Sequence, residues 1–267
     1  MINKGFTSNL WVWSERFKLD GREWDLETCL NECAQSGLNG IELNADQLEG
    51  MYKQVQSAGL AVSASYIGLE LHKEGLGKEL KERILPIAEQ LVSLKGTDLL
   101  VNADADFNAT TAFKTEDDFK RQGEHLSMIA ELLEPYKLNT AMHNHAAIHE
   151  HAVGDLRAVT AYSSPSVGLC VDTGWALTSG CNPQEWVEKY PEKVFAVHLR
   201  NQFGSVPTED LIEGDISMPA FIDALKAAQY EGWISLELWH RKDTNAERTM
   251  LEDYRLSIDY LNTLIQA

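Results

Sequence analysis

Short apolar runs alternate with longer stretches whose apolar positions recur every three or four residues, almost from end to end of the chain. The short runs are mostly continuous rather than every-other-residue, the pattern of strands covered on both faces. They predict eight strands, at 5–13, 38–44, 60–67, 98–102, 138–142, 167–171, 194–197 and 233–236. Helical spacing after each predicts helices at 26–36, 47–58, 78–94, 115–135, 154–162, 183–189, 218–230 and 246–265. Asp25 stands where an N-cap belongs, and Thr115-Glu116-Asp117-Asp118 has the form of a capping box. Gly37, Gly59, Gly96 and Gly232 fall where helices should stop, as C-cap glycines do.

Eight βα units at a spacing of roughly 30 residues predict a (β/α)8 TIM barrel, with residues 1–267 as a single α/β domain. The rival is a doubly wound open sheet. That fold usually carries a Gly-rich turn after its first strand, and here the strand runs into Ser8-Asn9-Leu10-Trp11 instead.

Composition narrows the partners. A hydrophobic content of 44% supports a large core, and a formal charge of −18 repels phosphate backbones, which argues against nucleic acid. No apolar run approaches the roughly 20 residues that span a bilayer. The start of the chain lacks a signal-peptide pattern, and Cys29, Cys33, Cys170 and Cys181 read as small apolar residues with free thiols. These features predict a cytoplasmic protein that acts without a membrane. Helix faces rich in Trp and Leu near the C-terminus suit either packing on the barrel or a homo-oligomer interface.

The candidate chemistry lies where apolar runs end: His143-Asn144-His145, Asp172-Thr173-Gly174, His198 and Glu237. On parallel, adjacent strands these groups share one face of the sheet, the catalytic end of a barrel. Each has a plainer reading. Asp172 can cap the segment after it, His198 can be a hydrogen-bonded core residue, and the histidines of 143–151 can belong to a solvated loop. A carboxylate buried without a partner is costly, however, and two acids with two imidazoles at one level suit a divalent metal: Mn, Mg, Co or Zn. Such an ion acts as a Lewis acid on a carbonyl or hydroxyl oxygen, while a neighbouring base removes the adjacent proton to give an enediolate. His145 is the candidate base or acid. Glu150 becomes a second candidate carboxylate if its loop folds back over the site. The earlier strands end in Asn9, Trp11, Glu42, Asn44, Tyr66 and Asn102, residues suited to a hydroxylated ligand. Trp11, Trp13, Trp175 and Trp239 offer flat faces for a sugar. No basic cluster marks a phosphate site.

With these marks the chain resembles the xylose isomerase-like TIM-barrel superfamily, which holds sugar isomerases and epimerases, inosose dehydratases and the family 2 apurinic endonucleases. The resemblance runs through all eight units and is most specific in Asp172-Thr173-Gly174, His198-Leu199-Arg200 and Glu237. It implies Asp172, His198 and Glu237 as metal ligands, with His143 at the position where the group usually carries a glutamate. Trp175 stands where a histidine is usual, and Arg200 where a lysine often is. The resemblance implies a metal-dependent isomerase or epimerase acting on a small keto-sugar or polyol-derived substrate. His145 and Glu237 would be catalytic, and Glu42, Asn102, Arg200, Trp11 and Trp175 would contact the substrate. A dehydratase or lyase acting on a keto-sugar or inosose is the enzyme alternative. A non-catalytic sugar-binding barrel, or a subunit that needs a partner, is the third.

Overall fold

The computed structural model describes residues 4–103 and 113–267. Eight parallel strands close into a barrel in chain order: β1 Phe6–Asn9, β2 Gly40–Asn44, β3 Ala61–Gly68, β4 Asp98–Asn102, β5 Asn139–His143, β6 Val167–Asp172, β7 Val194–Leu199 and β8 Ile234–Leu236. The seam joins first strand to last, with Phe6 opposite Ile234 and Thr7 opposite Ser235. Every residue of β4 and β6 is buried, which accounts for their unbroken apolar character. This closed barrel replaces the open-sheet alternative.

A minor core cluster stands apart from the main one. Ala64, Leu100, Ala141, Cys170 and Ala196 form a core cluster of their own, with Tyr66 and Phe195 packed against it. Gly168 makes room for Phe195, since a Cβ there would stand 2.2 Å from the ring. The larger core lies between the strands and the surrounding helices.

Helix starts follow their caps. Asp25 accepts from Thr28 N at 2.8 Å ahead of the helix Leu26–Gln35, and Thr115 with Asp118 forms the reciprocal box ahead of Glu116–Leu133. Four expectations need correction. The first strand stops at Asn9, whose side chain accepts from Val12 N at 3.1 Å and starts a helix, Leu10–Leu19. Trp13 therefore lies in a helix, fully buried against Tyr254, and offers no face to a ligand. The helix expected at 154–162 begins at His149, and a short helix, Thr173–Thr178, was not foreseen. Gly37 and Gly59 take the left-handed turn, but Lys95 and Gln229 take it in place of Gly96 and Gly232. Gly96 is required for closeness instead, because a Cβ there would lie 2.1 Å from Leu91 Cδ1.

The C-terminal helix, Met250–Gln266, turns Tyr254, Ile258 and Leu261 onto the barrel. The Tyr254 hydroxyl donates to Leu236 O at 3.0 Å and pairs with Ser8 Oγ at 2.6 Å, so one residue ties both strands of the seam. All four cysteines are buried free thiols. No helix among the described residues is long and apolar enough to cross a membrane.

Candidate metal and substrate site

Strand register sets the level of the site. Asp172 stands opposite His198 across β6 and β7, and His143 lies opposite Cys170, two residues before Asp172. Glu237 follows β8 directly. One ligand atom from each of His143, Asp172, His198 and Glu237 falls within 4.8 Å of all the others. His143 Nε2 is 3.6 Å from Asp172 Oδ2, and His198 Nδ1 is 3.3 Å from Glu237 Oε2. The other nitrogen of His198 lies 3.1 Å from Glu42 Oε2, so a carboxylate backs the imidazole from β2, as outer carboxylates do in metal sites. Asn9 Nδ2 donates to Glu237 Oε1 at 2.9 Å and fixes that carboxylate across the seam.

Several of these atoms have unmet needs. Asp172 Oδ2 and both ring nitrogens of His143 are buried and make no hydrogen bond with any described residue. Leaving such groups unsatisfied costs about 1–3 kcal/mol each. A divalent cation would satisfy Asp172 Oδ2 and one nitrogen of His143, and the mixed imidazole and carboxylate donors fit one. His143, Asp172, His198 and Glu237 could therefore hold a metal ion.

The Asp-Thr-Gly segment is built for this geometry. Asp172 Oδ1 accepts from Trp175 N at 2.6 Å and caps the helix Thr173–Thr178, which leaves Oδ2 for the cluster. The capping role and the site role are thus held together by one side chain. Thr173 Oγ1 donates to Arg200 O at 2.7 Å and accepts from Arg200 N at 3.0 Å. Gly174 leaves space for Arg200, because a Cβ there would lie 1.8 Å from its Nε. Asn144 clamps the same strand end, accepting from Asp172 N at 2.7 Å and donating to Asp172 O at 3.0 Å.

A cavity of about 480 Å³ opens above the cluster, with His143 and Glu237 at its base. Asn9, Glu42, Asn44 and His145 supply polar lining, Arg200 a cation, and Trp11, Tyr66, Trp175 and Trp239 flat faces. The His145 ring is 4.0 Å from Trp175 and 5.6 Å from His143, centroid to centroid. Burial, then the neighbouring His143, pushes His145 down to about 3, so it is neutral at physiological pH. Burial works to raise the Asp172 carboxyl, but the Arg200 guanidinium and His143 hold it well below the usual carboxylate range. Burial, then the charge of Glu237, pushes the Tyr66 phenol well above its ordinary value and keeps it a proton donor.

The residues expected at the site separate into two groups. Glu42, His143, His145, Arg200, Glu237, Trp11 and Trp175 line the cavity, while Asp172 and His198 join the cluster beneath it. Asn102 does not line it. It is buried at the end of β4 and paired with the Tyr66 phenol, which presents its ring to the cavity. Glu150 is exposed in the first turn of the helix His149–Thr160 and lies outside the cluster, because that segment is helix rather than a loop folding back. His149 and His151 go with it: His149 Nδ1 bonds Ser179 O, and His151 Nε2 accepts from Lys114 N. The clamping by Asn144 and the Asn9–Glu237 bond were not foreseen. Asn9 ends β1 and Asn144 follows β5, but nothing local in the sequence marks the partner of either.

Known proteins agree with this architecture. The inosose dehydratase of Clostridium tetani is 21% identical over 257 residues, spanning 81% of this chain and 83% of that protein. A sugar phosphate isomerase/epimerase from Parabacteroides distasonis has the same fold, with a TM-score of 0.74 at 17% identity over 97% of this chain and 94% of the other. The IolI protein, solved with a zinc atom, superposes at a TM-score of 0.73 and 16% identity over 98% of each chain. The model of the xylose isomerase-like TIM barrel family matches residues 30–264, and the chain belongs to that family.

Proposed function

We propose that the protein is a metal-dependent isomerase or epimerase that acts on a small keto-sugar or polyol-derived substrate through an enediolate. The observation that carries the reading is the cluster of His143, Asp172, His198 and Glu237 at the base of an aromatic-walled cavity, with buried donor atoms that no described residue satisfies. The zinc of the IolI protein and the sugar chemistry named for the relatives support it.

When bound, a divalent ion would supply Lewis-acid stabilisation of the negative charge that develops on a substrate oxygen. The remaining tasks fall to the chain. His145, neutral and at the cavity wall, takes the proton from the carbon beside the carbonyl and returns it to a carbon of the same substrate. Glu237, oriented by Asn9, shares this proton traffic. Glu42 accepts from a substrate hydroxyl, and Tyr66, Trp11 and Trp175 present flat faces to the sugar.

A dehydratase acting on the same intermediate is the second reading. The inosose dehydratase relative carries that activity in its name. His145 would then protonate the leaving hydroxyl. Elemental analysis of the native protein and of Asp172→Ala with His198→Ala tests the shared premise. Near-stoichiometric metal, lost in the double variant, is expected. No metal after loading with Mn and Co would sink it. Deuterium exchange beside a keto-sugar carbonyl then separates an enzyme from a binder, and loss of water separates the two reactions.

A further inference from the structure

We propose that the substrate carries a carboxylate, and that Arg200 is the residue that recognises it. The inference rests on the cavity being the substrate site and adds the chemical class of what enters.

Arg200 differs from the other buried cations. Arg16 is met by Asp20 and His240, and Lys114 by Asp155 and Gln122. Arg200 is 4% exposed and lines the cavity, yet its side chain donates no hydrogen bond to any described residue. Its nearest acidic atom is Asp172 Oδ1, 3.5 Å from Nε and already taken up by Trp175 N. A guanidinium carries five donors in a fixed fork; here the buried Nε makes no hydrogen bond and the terminal nitrogens bond no described residue, so the fork keeps donors for a ligand.

The surroundings hold this fork in place. The missing Cβ of Gly174 admits the stem, and Thr173 grips the Arg200 backbone from both sides. The guanidinium carbon sits 5.0 Å from the Trp175 ring centre and 5.9 Å from that of Trp239. A planar donor set between two aromatic walls matches a planar, bidentate acceptor, which is a carboxylate. A phosphate would call for more charge, and Arg200 is the only Lys or Arg among the described lining residues. Arg200 also lies beside Asp172, so the carboxylate and the reacting oxygen would belong to one short molecule. A polyhydroxy or keto sugar acid meets these requirements.

The test uses the full-length, Mn-loaded protein and three probes, gluconate, glucitol and glucitol 6-phosphate, titrated by calorimetry. Gluconate is expected to bind the native protein at least about tenfold more tightly than glucitol. Arg200→Gln should bring the two within about threefold, mainly by weakening gluconate, and Arg200→Lys should fall between, because a point charge keeps attraction without the fork. Circular dichroism and metal content are read on each variant. If Arg200→Gln loses its metal, Arg200→Lys carries the comparison. Equal affinities in the native protein overturn the proposal. So does a gluconate preference that survives in a metal-retaining Arg200→Gln or is undiminished in Arg200→Lys, since the carboxylate would then sit on the metal. Tighter binding of the phosphate overturns it as well. Absence of solvent exchange with every keto-sugar would instead strike the enzyme reading and leave the carboxylate preference readable.

Discussion

Lowering the pH from about 7.5 to about 5.5 should remove about 1.4 kcal/mol of stability through His240 alone. His240 is buried, with Nδ1 facing Arg16 Nη1 at 2.5 Å and Nε2 bonded to Glu209 O at 2.9 Å. Arg16 can only donate, so Nδ1 must accept, and the ring is neutral with its proton on Nε2. Burial, and then Arg16, pushes it from the ordinary 6.5 to about 4. Asp253, 3.8 Å from Nε2, gives little relief, because Arg248 at 2.7 Å and Arg16 at 3.6 Å already engage it. The folded value is depressed, so the contribution is complete above the unfolded value of 6.5 and drains away as the pH falls toward 4. Below 6.5 the unfolded chain binds a proton that the folded chain refuses, at up to about 1.4 kcal/mol per pH unit. Urea denaturation at steps across this range, for the native protein and His240→Gln, isolates the effect as a difference in slope. The variant should start less stable and lose stability more slowly. Parallel curves would refute the assignment of a neutral, Arg16-bonded His240.

Two other perturbations test the site through its supports. Asn9→Ala removes both the cap on Leu10–Leu19 and the bond to Glu237, so it should cost about 1 kcal/mol in denaturation and weaken metal affinity about tenfold by competition with a chelator. Retention of native metal affinity would mean that Glu237 needs no support. Gly174→Ala places a Cβ 1.8 Å from Arg200 Nε, so it should lower stability by about 1–3 kcal/mol and displace Arg200 from the cavity. A crystal structure of that variant with Arg200 unmoved would count against the packing argument.

Much of this was legible in the sequence because burial imposes strong rules. Strands covered on both faces must be apolar, so an acid or imidazole at the end of such a run stands out, and Asp172, His198 and Glu237 did so. The helix at Leu10 was hidden because Phe6 to Trp13 is apolar enough to read as one strand, and only the cap made by Asn9 divides it. The early start of His149–Thr160 was hidden for the opposite reason, since Ile148 precedes it without a side-chain cap. Asn102 looked like Glu42 and Asn44, polar and at a strand end. What separates them is the Tyr66 ring, which depends on register across β3 and β4 and has no local signature. The role of Asn144 is invisible for the same reason, because its partner is the backbone of Asp172 on the next strand.

The seam between β1 and β8 also bears on how the protein comes into being. Asn9 and Glu237 are separated by almost the whole chain, as are Ser8 and Tyr254. Contacts of such long separation form late and slowly, because the loop they close must lose its entropy first. A nascent chain that has passed Leu199 already carries His143, Asp172 and His198, yet it lacks Glu237 and the strand that shuts the barrel. Tight capture of an ion by four ligands would therefore mark the end of folding, making the metal a reporter of barrel closure during synthesis.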